Sequence, residues 1–150
     1  MRVYLAAPYG MKDVIKARAL ELERLGISVV SQWTDESHSA NIQMHELTHE
    51  EHQAYAVRDV AECAQGDVFV LQPNMVGEIV RQGRTSELGI AIGIGLYRPY
   101  PIFVVGDGGN EANIFHHLPQ VTHFPDWEAT KAELLALLEI ERISQDEIPF

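Results

Sequence analysis

Two acids, Asp59 and Glu87, stand on either side of one short apolar strand, Asp67-Val68-Phe69-Val70-Leu71. Asp59 falls in a helical-looking stretch, Tyr55 to Ala64, that runs into this strand. Glu87 falls in Gly83-Arg84-Thr85-Ser86-Glu87-Leu88-Gly89, which opens the next helix. Segments arranged this way can bring two carboxyl groups into one pocket. Two carboxyl groups in contrasting environments are what cleavage of a glycosidic bond requires, one to receive the sugar and one to manage the leaving group.

The spacing predicts a helix from Ser86 to Tyr97, with Glu87 in its first turn. Unpaired N–H groups and the positive end of the dipole there favour an ionised carboxylate, a competent nucleophile. The same position also suits plain helix capping, with Thr85 or Ser86 as the cap. Asp59 has Ala56, Val60 and Cys63 at helical neighbour spacings, which puts its carboxyl at the margin of a buried face, where desolvation favours a proton donor. A solvent-facing Asp59 paired with Arg58 is the ordinary alternative.

The elements that must position these acids alternate along the chain. Val3 to Ala7, Ile27 to Val30, Asp67 to Leu71, Pro101 to Val105 and Val121 to Phe124 read as strands. Helices are expected from about Met11 to Leu25, stopped by Gly26, from Glu50 to Ala64, from Ser86 to Tyr97, and from Asp126 to Glu141. Strands that are near-continuous apolar runs between helices argue for an α/β fold. The expected form is a single-domain, open parallel sheet of about five strands with helices on both faces, Rossmann- or flavodoxin-like. The domain spans residues 1–141, and 142–150 read as a carboxyl-terminal tail. In such sheets ligands bind outside the carboxyl ends of the strands, where Ala6 to Gly10, Gln72 to Asn74 and Gly106 to Asn113 gather. Ala7 and Tyr9 are therefore candidates for substrate contact, and Tyr9 and Trp33 could stack on a base or simply pack.

Composition narrows the partners. With 22 acidic residues against 11 basic ones, a net charge of −11 argues against a long nucleic acid or an anionic membrane, and leaves room for a single nucleotide. One cysteine, Cys63, allows no disulfide within the chain and fits a reducing compartment. The amino-terminal apolar run is too short for a signal segment, and Arg98, Pro99 and Pro101 interrupt the longest apolar region, so a soluble, cytoplasmic protein is expected.

A rival chemistry lies in His45-Glu46-Leu47-Thr48-His49, which fits the H-E-x-x-H pattern of zinc hydrolases, with His52 nearby. Such a site needs a third ligand and a cleft, whereas the segment falls where a loop becomes a helix, so a solvated face of His and Glu is the favoured reading. No ligand spacing supports a metal at His116 and His117. Gly89, Gly93 and Gly95 lack the order of a dinucleotide fingerprint, and Gly106-Asp107-Gly108-Gly109 opens no helix. No metal and no cofactor are expected.

Val3-Tyr4-Leu5-Ala6-Ala7, Ala56-Val57-Arg58-Asp59-Val60 followed by Gln65-Gly66-Asp67-Val68, the turn from Gly83 to Gly89, and Asn113-Ile114-Phe115 resemble, in order, the nucleoside 2-deoxyribosyltransferase superfamily. That superfamily includes nucleoside and nucleotide N-glycoside hydrolases. The resemblance spans residue 3 to about 140. It implies that Glu87 is the nucleophile attacking the anomeric carbon, that Asp59 helps the departing base, and that Tyr4, at the end of the first strand, orients the nucleophilic carboxylate. It also implies that Asn113 reaches a neighbouring subunit's site, and hence a homodimer or higher homo-oligomer, with a weaker role for Phe150.

In the nucleotide-hydrolase branch, Ser and Arg follow the first strand to hold a 5′-phosphate. Here Pro8, Tyr9 and Gly10 stand in that turn, with Lys12 and Arg18 further on, while Arg84 and Ser86 could supply substitute donors beside Gly83. The expected activity is cleavage of the N-glycosidic bond of a nucleoside, deoxynucleoside or 5′-monophosphate, with transfer to a second base left open. A noncatalytic nucleotide-sensing module of the same fold is the alternative.

Overall fold

Each apolar run becomes one strand of a single sheet. A computed structural model of the chain describes residues 1–35, 47–73, 82–106 and 114–146, and for residues 82–84 the backbone alone. The strands are β1 (Arg2–Ala6), β2 (Ser28–Val29), β3 (Val68–Leu71), β4 (Ile102–Val105) and β5 (Val121–Phe124), and the helices are α1 (Lys12–Arg24), α2 (His49–Gln65), α3 (Gln82–Gly95) and α4 (Trp127–Asp146). The strands lie in the order β2-β1-β3-β4-β5, all parallel. The open parallel α/β sheet expected from the sequence is thus observed, in the flavodoxin-like order whose ligand crevice lies where β1 meets β3.

Alternation along β1 divides the core. Val3 and Leu5 pack with Ile15 and Leu22 of α1 and Leu134 and Leu138 of α4. Tyr4 and Ala6 face the other way, into a second cluster with Cys63 of α2, Leu88 and Ala91 of α3, and Phe69 and Leu71 of β3. A buried strand can supply one side chain to each layer because successive residues point to opposite faces. This puts Tyr4 under α2 and α3.

Local chemistry explains three of the helix ends. After α1, Gly26 adopts φ +86°, and the N–H groups of Gly26 and Ile27 donate to the carbonyls of Glu23 and Leu22, a Schellman ending that fulfils its expected role as stop signal. α2 starts with a capping box: the Glu51 N–H donates to Thr48 Oγ1 at 3.2 Å, and the Thr48 N–H donates to Glu51 Oε2 at 2.8 Å. At its other end Arg98 donates to the carbonyls of Ala64 (2.8 Å) and Gly66 (2.7 Å). Its guanidinium also lies 4.7 Å from the Tyr100 ring centroid. Gly66 permits a close approach here, since a Cβ would stand 2.8 Å from the Tyr100 hydroxyl.

Two boundaries differ from the sequence expectation by more than two residues. α3 begins at Gln82, four residues before Ser86, and so runs through the Thr85-Ser86 pair expected to cap it. Gln and Arg are good helix formers, and extending an existing helix needs no new nucleus. α4 continues to Asp146, so residues 142–146 are helical and not part of a loose tail. The Ser144 hydroxyl donates to the Ile140 carbonyl, and Arg142 lies 3.8 Å from Glu139, both along the extended helix.

Candidate functional site

The site is built on β1, α2 and α3. Tyr4 sits in the middle of β1, not at its end, fully buried and stacked on Phe69 of the adjacent strand with ring centroids 5.6 Å apart. Its hydroxyl donates to Glu87 Oε1 at 2.9 Å. Glu87 is half-buried, one residue before Leu88 and four before Ala91, on the stripe of α3 that faces the sheet.

The earlier start of α3 changes the reason Glu87 is held. It is the sixth residue of the helix, beyond the first turn, so the unpaired N–H groups of the helix end do not explain its setting. A phenol from the strand beneath supplies a directed donor. Burial drives the Tyr4 phenol far above its ordinary range, and the charges of Glu87 and then Asp59 push the same way, so Tyr4 stays a neutral O–H donor.

Asp59 reaches the same neighbourhood from α2. Burial pushes the Cys63 thiol up to about 11, opposed by its hydrogen bond to Tyr100 and reinforced by the charges of Glu87 and Asp59. Both carboxylates thus lie within electrostatic reach of Tyr4 and Cys63. Asp59 lies at the margin of the buried face, as expected, while its neighbours Ala56 and Val60 are exposed. It also carries the pairing considered as the alternative: Arg58 Nη2 and Nε lie 2.6 and 3.1 Å from Asp59 Oδ1.

Other candidates are placed less centrally. Ala7 is buried among the side chains of the α1 and α4 layer. Tyr9 and Trp33 pair at 6.1 Å with planes tilted by 42°, near the carboxyl end of β1, and the Trp33 indole donates to the Leu5 carbonyl. Lys12 Nζ lies 5.6 Å from the Tyr9 ring centroid. Arg18 donates to Gln72 at the end of β3 and stacks on Trp127 at 4.7 Å. Ser86 is exposed on α3, and Gly83 and Arg84 lie in the first turn of that helix. Asn113, Phe150, the glycine run from Asp107 to Gly109, and His45 and Glu46 of the H-E-x-x-H segment lie outside the described residues. Among the described residues no group of three or more His, Cys, Asp or Glu side chains is placed to hold a metal ion. None of the described helices is long and apolar enough to cross a membrane.

Sequence reasoning passed over Glu62. This carboxylate is 5% exposed, accepts the backbone N–H of Gln32 at 2.9 Å, and lies 3.7 Å from Arg58. Its signal was the i, i+4 spacing from Arg58 together with a position next to buried Cys63.

No family model matches the chain, and no curated protein matches it. Solved structures do. The chain is similar to a CMP N-glycosidase of Clostridium botulinum, with a TM-score of 0.55, 22% identity, and coverage of 93% of this chain and 99% of the other. It is also similar to a 2-deoxyribosyltransferase of the psychrotolerant Bacillus psychrosaccharolyticus, with a TM-score of 0.62, 20% identity, and coverage of 87% and 90%. At these identities the likeness is one of fold.

Proposed function

We propose that the chain is an N-glycosidase of the nucleoside 2-deoxyribosyltransferase kind, cleaving the bond between base and sugar in a nucleoside, deoxynucleoside or 5′-monophosphate. The observation that carries this reading is the 2.9 Å bond from the buried Tyr4 hydroxyl to Glu87. The two similar folds, a CMP N-glycosidase and a 2-deoxyribosyltransferase, support it.

In the proposed reaction the Glu87 carboxylate attacks the anomeric carbon as the carbon–nitrogen bond breaks, and the bond's electron pair leaves with the base. Tyr4 directs one carboxylate oxygen and so aims the other. Asp59 manages the proton taken up by the departing base. Water then attacks the glycosyl ester, releasing the sugar and restoring Glu87; a second base in place of water gives transfer.

Substrate contacts are assigned to Ala7, Tyr9, Gly83, Arg84 and Ser86, and to Asn113 of a neighbouring copy. A homo-oligomer is therefore part of the proposal. Val57 (64% exposed) and Val60 (47%) on α2, with Leu96 (75%) just past α3, offer apolar surface for it.

The test is incubation with a panel of nucleosides and 5′-monophosphates while free base is measured. Base release that disappears in Glu87→Ala is expected. Release unaffected by that change removes the mechanism, and specific binding without release by the wild type would favour a sensing module.

A further inference from the structure

We infer that Arg58 is a positioning residue for Asp59, clamped from behind by the buried carboxylate of Glu62. The inference rests on the catalytic reading of Asp59 given above. Consecutive residues of a helix do not face each other, so a side chain must fold back to bond its immediate neighbour. Arg58 does so, with Nη2 and Nε at 2.6 and 3.1 Å from Asp59 Oδ1.

Groups one turn away on either side account for the fold-back. Glu62 Oε1 lies 3.7 Å from Arg58 Nε, and the Tyr55 ring centroid lies 5.2 Å from the guanidinium carbon. Glu62 is itself fixed from outside its helix, because its Oε2 accepts the N–H of Gln32, just beyond β2. A carboxylate buried this deeply needs a cation beside it, which keeps Arg58 in place.

The distances divide the work. Of these two carboxylates, Glu62 receives a long ionic contact and Asp59 receives bonds of 2.6 and 3.1 Å. An arginine needed only to neutralise Glu62 would turn its donors toward Glu62. Nε and Nη2 meet the same oxygen, Oδ1, and holding that oxygen fixes the rotation of the carboxyl group about its Cβ–Cγ bond and hence the direction of Oδ2. Glu62 supplies the anchoring charge, Arg58 transmits it, and Asp59 receives a fixed orientation.

A double-mutant cycle on the full chain tests this, using the nucleoside or 5′-monophosphate from which the wild type releases base fastest. Arg58→Ala is expected to lower kcat about ten- to a hundredfold with KM near the wild-type value, the size of effect that misplacing a catalytic group produces. Arg58→Lys, which keeps the charge and loses the planar fork, is expected to recover part of that loss. In an Asp59→Ala background Arg58→Ala should cost no further kcat, because groups acting as one unit are not additive.

Full kcat in Arg58→Ala, or a loss that persists undiminished in the Asp59→Ala background, overturns the inference and leaves the N-glycosidase reading standing. If Arg58→Ala does not fold, the same cycle is run with Arg58→Lys, and full kcat there overturns the inference. A wild-type chain that releases no base from any member of the panel removes the catalytic reading, and this inference falls with it.

Discussion

Tyr4 is the residue on which the site's geometry turns, because it is both a core side chain and a hydrogen-bond donor to Glu87. Replacing it with Phe separates the two roles: the stack on Phe69 survives and the 2.9 Å bond is lost. Tyr4→Phe is expected to fold, to lose about 1–3 kcal/mol of stability, the range for a hydrogen bond to a charged group, and to release base roughly ten- to a hundredfold more slowly through a misaimed nucleophile. Denaturant melts and initial rates measure the two effects independently. Base release at the wild-type rate would mean that the phenol does not orient Glu87. The two carboxylates were legible in the sequence because acids beside an apolar strand are conspicuous. The reason for Glu87's setting was not legible: it depends on where α3 starts and on which face of β1 carries Tyr4, and both are settled by packing across the sheet. Glu62 was overlooked because only the fold shows that Gln32 comes to its carboxylate.

At the scale of elements, α2 and α3 carry one catalytic candidate each, so the way they are anchored matters as much as the acids. Arg98 binds two carbonyls at the end of α2 from the turn that follows α3, tying the end of one helix to the next connection. Arg98→Ala is expected to destabilise the chain by about 1–3 kcal/mol, since it strips a donor from the partly buried Gly66 carbonyl and from the exposed Ala64 carbonyl and removes a cation from the negative end of the helix. Urea denaturation with an unchanged m-value checks this; an unchanged midpoint would show that water replaces the guanidinium without loss. Among the described residues, the five strands and four α-helices were readable from apolar runs and punctuation such as Gly26. Boundaries were less so at α3 and α4. A Ser after a Thr resembles a cap but can also sit exposed on a continuing helix, and charged residues after Glu141 extend a helix as readily as they end it. Which faces meet was likewise not encoded locally: the division of β1 between two cores follows from strand order.

For the whole molecule, an excess of 11 acidic over basic groups discourages association with polyanions, while Val57 and Val60 stand exposed on α2, where the proposed subunit contact is placed. Val57→Glu is expected to shift the proposed oligomer toward monomer in light scattering after size-exclusion chromatography, because a charge desolvated at a subunit contact is costly. A monomeric wild type would remove the shared-site part of the proposal. The sheet itself limits the ways in which copies can join. β2 contributes only Ser28 and Val29 at one rim, and β5 closes the other with Thr122 and His123 exposed. A border two residues long offers too few rungs for a stray strand to zip onto. Self-templated, amyloid-like growth from that side is therefore discouraged.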